Sequence, residues 1–243
     1  MHLTAPKSRS NRGLRLAWGL IIGVATLMMC TPEGRPATGA EGKDNKEDKF
    51  LAILRSAETP PEEKALACKQ LAIYGSSKSV PSLAEYLSNP QLSSWARIAL
   101  EAIPDAAADK ALRDALPRLE GRLLTGVINS IGNRRDREAV SVLVPYLRHA
   151  DPEISSAAAA ALGRIGGAEA VGALKLALAA DQPSLRSAAA EGLVRCAEQF
   201  LAADRKSEAL AIYDLVRKAD VPKQRVAEAT RGAILARGDS GVP

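Results

Sequence analysis

Five short stretches of this chain lie over one another: LAIYG at 71–75, LEAIP at 100–104, INSIG at 128–132, LGRIG at 162–166 and LVRCA at 193–197. They recur at spacings of 29, 28, 34 and 31 residues. A second apolar series, Leu83/Leu87, Leu112/Leu116, Leu143/Leu147 and Leu174/Leu178, falls between them at spacings of 29, 31 and 31. Each unit therefore carries two apolar landmarks in fixed order, which is the mark of an array of stacked repeats. Within one unit Ile154, Ala158, Ala161, Leu162 and Ile165 recur at three and four residues and form one helical stripe. Two helices of this length cannot bury such stripes alone and must stack on neighbouring pairs.

The local signals agree with helix pairs. Asn89-Pro90 and Asp151-Pro152 place a capping side chain before a proline suited to the first helical turn. Thr59-Pro60-Pro61-Glu62 reads as a capping box. Gly75, Gly132 and Gly166 stand where left-handed helix stops are wanted. Aromatic residues make up only 3% of the chain, so the core has to be assembled from small aliphatic side chains between closely spaced helices. The expected fold class is all-α, an α-solenoid of stacked antiparallel helix pairs.

Residues 1–40 read as a secretory leader: Lys7, Arg9, Arg12 and Arg15 precede an apolar run over 16–30, followed by small residues at Thr38, Gly39 and Ala40. The expectation is an exported protein, periplasmic or extracellular, cleaved near Ala40. The alternative is a membrane anchor formed by the apolar run. Lipidation of Cys30 is the weaker reading, since Met29 rather than a small residue precedes it. Of the chain's 33 Lys and Arg the leader holds five, and of its 28 acids one, which leaves 28 basic and 27 acidic groups after residue 40. Both signs are interspersed there, so no nucleic-acid partner is expected. A membrane partner is expected only through an uncleaved leader or a lipidated Cys30. The stretch 41–49, EGKDNKEDK, reads as a charged disordered linker. The array proper is then 50–198, and 199–243 is a divergent helix pair ending at the start of a further repeat, as in a truncated chain.

The stretch DPEISSAAAAALGRIGGAEAVGAL at 151–174 resembles the HEAT-like repeat of the phycobilisome-lyase type. SSWARIALEAIP at 93–104 and GVINSIGNRRD at 126–136 resemble secreted bacterial HEAT-repeat proteins, and EALAIYDLV at 208–216 is similar to the second helix of a tetratricopeptide repeat. The resemblance implies a fold rather than an activity. A bilin lyase is the least favoured reading, because export would separate it from a cytoplasmic pigment apparatus.

Chemistry-bearing residues are scarce. Past residue 40 the only histidine is His149, too few for a multi-histidine metal site, and it reads as a cation at a helix C-terminus. Cys68 and Cys196 sit four repeats apart, too far for a bridge at about 10 Å per layer, and Cys196 reads as a small core residue. No catalytic residue, cofactor or metal is expected. The function read from the sequence is a non-catalytic protein-interaction or scaffold module, binding through the concave face of the second helices. The alternative is an accessory repeat domain of a larger secreted hydrolase or redox enzyme. Aligning the landmarks brings Arg97, Thr125 and Ala159 into one column and Glu101, Asn129 and Gly163 into the next. Trp95, Arg97, Glu101 and Asn129, with Arg134 and Arg135 in the following loop, are the candidate partner-binding residues for an unidentified protein.

Overall fold

A computed structural model describes residues 38–238. Among them there is no β-strand, and twelve helices follow one another: α1 (Thr38–Arg55), α2 (Pro61–Tyr74), α3 (Val80–Glu85), α4 (Ser93–Ala102), α5 (Ala106–Ala115), α6 (Gly121–Arg134), α7 (Val140–Leu143), α8 (Pro152–Ile165), α9 (Gly167–Ala177), α10 (Pro183–Ala202), α11 (Lys206–Lys218) and α12 (Lys223–Arg237). The even-numbered helices pack in sequence, α2 on α4, then α6, α8, α10 and α12, and the odd-numbered helices lie against them. This is the expected α-solenoid of helix pairs. Among the described residues no helix is long and apolar enough to cross a membrane.

Every landmark of the two apolar series is buried in one contiguous core, including Leu71, Leu100, Ile128, Leu162 and Leu193 in the even layer and Leu83, Leu112, Leu143 and Leu174 in the odd layer. Proline shapes two of the odd helices. Pro117 and Pro145 carry no amide hydrogen and cannot continue an α-helical ladder, and the chain tightens there into 3-10 turns, Leu116–Arg118 and Val144–Arg148. With no proline in its span, α9 stays α-helical for 11 residues.

The scarcity of aromatics has its counterpart where α8 meets α10. A Cβ built on Gly163 would lie 2.3 Å from the Gly192 Cα, and one on Gly192 would lie 2.9 Å from the Ala159 carbonyl oxygen. The two backbones touch, with buried Ala159, Ala189 and Ala190 around the contact. Small side chains thus bring helices together where large ones would hold them apart.

Several expectations need correction. The stretch 41–49 is not a linker but part of α1. Glu47 explains why: its side chain is buried, and its Oε1 accepts hydrogen bonds from the Ser76 amide at 2.8 Å, the Ser76 hydroxyl at 2.9 Å and the Ser79 hydroxyl. A carboxylate that caps the next unit is part of the array, which therefore begins before residue 50. The boundary at 198 falls inside α10, and α11 and α12 stack on that helix as a further pair. The proposed capping box is absent, since α2 has Pro60 at its N-cap and no side-chain cap. Asn89 caps a turn at Gln91 and Leu92 rather than starting α4, whereas Asp151 caps α8 through the Glu153 amide. Of the three glycines only Gly166 has a positive φ, 74°; the left-handed stop of α6 is taken by Arg135 at φ 54°. Residues 1–37, most of the expected leader, and residues 239–243, the expected start of a further repeat, lie outside the described residues.

Burial raises the pKa of the Glu47 carboxyl, but the bonds from Ser79 and Ser76 and the charge of Lys78 outweigh it, so the group is held below its ordinary 4.5. A depressed folded-state pKa contributes stability that is present above the unfolded value and lost as pH falls through the folded one. The expected result is that wild type is more stable than Glu47→Gln at neutral pH and that the gap closes in denaturation curves taken progressively below about pH 4.5. A gap independent of pH would show that the carboxylate charge is not what secures α1.

Candidate functional site

The six residues singled out from the sequence do not form one surface. Arg97 reaches from α4 onto α6, where its Nη1 donates to the Gly126 carbonyl and the Ser130 hydroxyl, both at 3.1 Å, while its Nε is buried without a partner among the described residues. Burial, opposed by Glu101, holds its guanidinium below the ordinary arginine pKa. Asn129 accepts from Arg164 of α8 through both its carbonyl and its side chain. Glu101 accepts from the Asn133 amide at 3.0 Å.

Arg134 is turned inward. It donates to the carbonyls of Leu100, Glu101, Ile103 and Asp105 and to the Asp109 carboxylate, closing the C-terminal end of α4 from the next repeat. The aligned columns are also not open: Ala159 and Gly163 are buried. Those columns run along helix–helix contacts because adjacent even helices approach so closely that the aligned side chains meet the next layer before solvent. Only Trp95, 38% exposed, and Arg135 keep a free outer surface. Trp95 stands with Ile98, 48% exposed, one turn on, and α2 next to it exposes Leu66 and Ile73.

The residues that converge lie in the second half of the even layer. Arg135, Arg164 and Arg195, with Glu198, Gln199 and Ala202, line a cavity of about 240 Å³. It adjoins a wider groove of about 730 Å³ between α10 and α12, and the two share Arg195, Glu198 and Ala202. Val194, Leu201 and Leu235 give the groove an apolar lining, and Arg231 stands on its α12 side. Tyr213 of α11 closes its floor against Gly232; its hydroxyl is buried and has no hydrogen-bond partner among the described residues.

The electrostatics divide the groove. Arg225 is neutralised by Glu191 at 2.6 Å and Glu228 at 2.8 Å, and Arg195 meets Glu191 at 3.0 Å. Among the described residues Arg164 meets no carboxylate; its hydrogen bonds go to Asn129 at 3.3 and 3.4 Å. Burial and the neighbouring charge of Arg195 hold its guanidinium below the ordinary value, against the opposing pull of Glu191 and Glu101. Sequence reasoning passed over Arg164 and Arg195, although both occupy the third position of their landmarks, LGRIG and LVRCA. That repeated arginine was the available signal.

His149 and the two cysteines are engaged within the fold. The His149 Nδ1 accepts from the Asp151 amide at 3.0 Å and the ring stacks near Tyr146. The residue stands at the C-terminal end of the Val144–Arg148 turn, the helix end that the sequence suggested, and joins it to the start of α8. Cys68 and Cys196 are free and buried, and burial pushes their thiols up to about 11 and about 12. Among the described residues no group of three His, Cys, Asp or Glu side chains could hold a metal ion.

Residues 124–194, from α6 into α10, match the family model of HEAT repeats. Among solved structures, an engineered protein is 19% identical over 79% of this chain and 96% of its own, with a TM-score of 0.47. Human deoxyhypusine hydroxylase in complex with glycerol is 15% identical over 82% of this chain and 98% of its own, with a TM-score of 0.44. The complex of CpcE and CpcF of phycocyanin lyase from a Nostoc species is 19% identical over 82% of this chain and 85% of that one, with a TM-score of 0.42. No curated protein sequence matches the chain.

Proposed function

We propose that this chain is a non-catalytic module of an exported protein and that it binds a protein partner on the exposed side of its even-numbered helices. The observation that carries the reading is the pair of joined cavities from Arg135 to Arg231, open to solvent and lined by charges of both signs beside apolar residues. Stacked helical repeats characteristically present such extended surfaces to other proteins. The engagement of His149 with the Asp151 amide and the burial of both thiols also favour binding over chemistry. Export is supported by the basic, apolar and small-residue order of 1–40, and mass spectrometry of the N-terminus of the native protein tests it.

The binding reading is tested with a photo-crosslinking amino acid placed at Glu198 in the groove or, separately, at Lys110 on α5, in the full chain in its native cells. The expected result is one discrete protein adduct from position 198 and none from position 110. Equal labelling from both positions, or none from either, overturns it.

A further inference from the structure

Resting on that function, we infer that the bound element is an acidic segment of the partner, held by its carboxylates at Arg135, Arg164 and Arg195 and by an apolar side chain in the groove between α10 and α12. Elsewhere most of the partly buried arginines are matched by carboxylates within the chain, Arg113 with Asp136, Arg134 with Asp109, Arg186 with Asp220, and Arg225 with Glu191 and Glu228, while Arg97 is held by the Gly126 carbonyl and the Ser130 hydroxyl. Three guanidinium groups line the smaller cavity with one acid, Glu198; Arg195 is paired outside it with Glu191, and among the described residues neither Arg135 nor Arg164 has a carboxylate partner. A partly desolvated cation is normally paired, and a planar guanidinium is matched best by a carboxylate that can accept two bonds.

The neighbouring groove supplies the second half of the recognition. Val194, Leu201 and Leu235 leave an apolar trough next to Arg195, and Leu235 is 62% exposed. Adjacent helices are spaced by about 10 Å, and an extended peptide advances about 3.4 Å per residue. The acidic residue and the apolar one are therefore about three positions apart in the partner.

The probe is a fluorescein-labelled peptide with the sequence Glu-Glu-Ala-Ala-Leu, followed by anisotropy at low salt, with a Gln-Gln-Ala-Ala-Leu peptide for comparison. The Glu peptide is expected to bind the full chain at least about tenfold more tightly than the Gln peptide, weakening as salt is raised. Arg164→Gln with Arg195→Gln together abolish that preference. Because Arg164 also bonds Asn129, Arg135→Gln is the second variant: exposed and outside the packing, it weakens the Glu peptide at least about threefold without shifting the melting midpoint. Leu235→Ser weakens both peptides, and Lys110→Gln on α5 changes neither.

Equal affinity for the two peptides, or an unchanged preference in the arginine variants, overturns the inference. Displacement of the Glu peptide by millimolar inorganic phosphate, with no loss on Leu235→Ser, also overturns it, by showing a small-anion site. A crosslinked partner at position 198 together with equal peptide affinities leaves the binding function standing and removes only the acidic segment.

Discussion

Replacing Arg134 with methionine lowers the unfolding free energy by about 3 kcal/mol, read as a lower urea midpoint with an unchanged slope. Methionine replaces the apolar stem of Arg134 as far as its Nε, so the loss comes from the guanidinium group and its bonds rather than from the stem. The substitution removes a donor from the carbonyls of Leu100, Glu101, Ile103 and Asp105, of which the last two keep the amides of Asp105 and Ala108, and it leaves Asp109 without its cation. Breaking a desolvated pair from one side costs more than the pair itself contributes, because the partner stays buried and uncompensated. Arg134→Lys keeps the charge but has no planar fork to span several carbonyls, and it recovers less than half of the loss. A cost below about 1 kcal/mol for Arg134→Met would place the end of α4 in contact with water.

Gly163→Val is expected to cost about 3 kcal/mol, the upper end of what overpacking exacts. The new Cβ would meet the Gly192 Cα at 2.3 Å, backbone against backbone, and neither helix has a side chain that can turn away. Helix propensity works in the opposite direction, by about 1 kcal/mol for Gly to Ala, so Gly163→Ala isolates the contact: it is destabilising despite the better helix former. Gly172 is the internal control. It lies within α9 with nothing inside 4 Å of a built Cβ, so Gly172→Ala raises stability by up to about 1 kcal/mol. Thermal or urea unfolding of the three variants decides the matter, and a stabilising Gly163→Ala would mean that α8 and α10 are farther apart than their glycines imply.

What could be read from the sequence was what repeats. The two apolar series were visible because burial demands the same residue type at the same place in each unit, and each of those landmarks is in the core. What could not be read was how one unit touches the next. Arg97, Asn129 and Arg134 looked like surface residues because each is polar and adjoins a landmark, yet each bonds a neighbouring repeat. In a solenoid the neighbouring repeat replaces solvent on most sides of an even helix, so polarity alone does not locate the outer face.

The stretch 41–49 misled for the same reason: its charges signal disorder only where nothing receives them, and Ser76 and Ser79 receive Glu47. The candidate groove escaped notice because its residues come from three helices in different registers, and Tyr213 joins them from the odd layer. Only the shared third position of LGRIG and LVRCA marked Arg164 and Arg195 in the chain itself.

The most direct test of a binding role for the even-helix face is recovery of the tagged full chain from its native cells, with its bound proteins quantified by mass spectrometry. Wild type is compared with Lys110→Gln and with the double variant Arg164→Gln/Arg195→Gln, all checked for native circular dichroism. The expected result is a partner retained by wild type and Lys110→Gln and depleted about tenfold from the double variant, the loss of roughly one well-made charged contact. The same set and amounts of bound proteins on a folded double variant would contradict the placement of binding at this face.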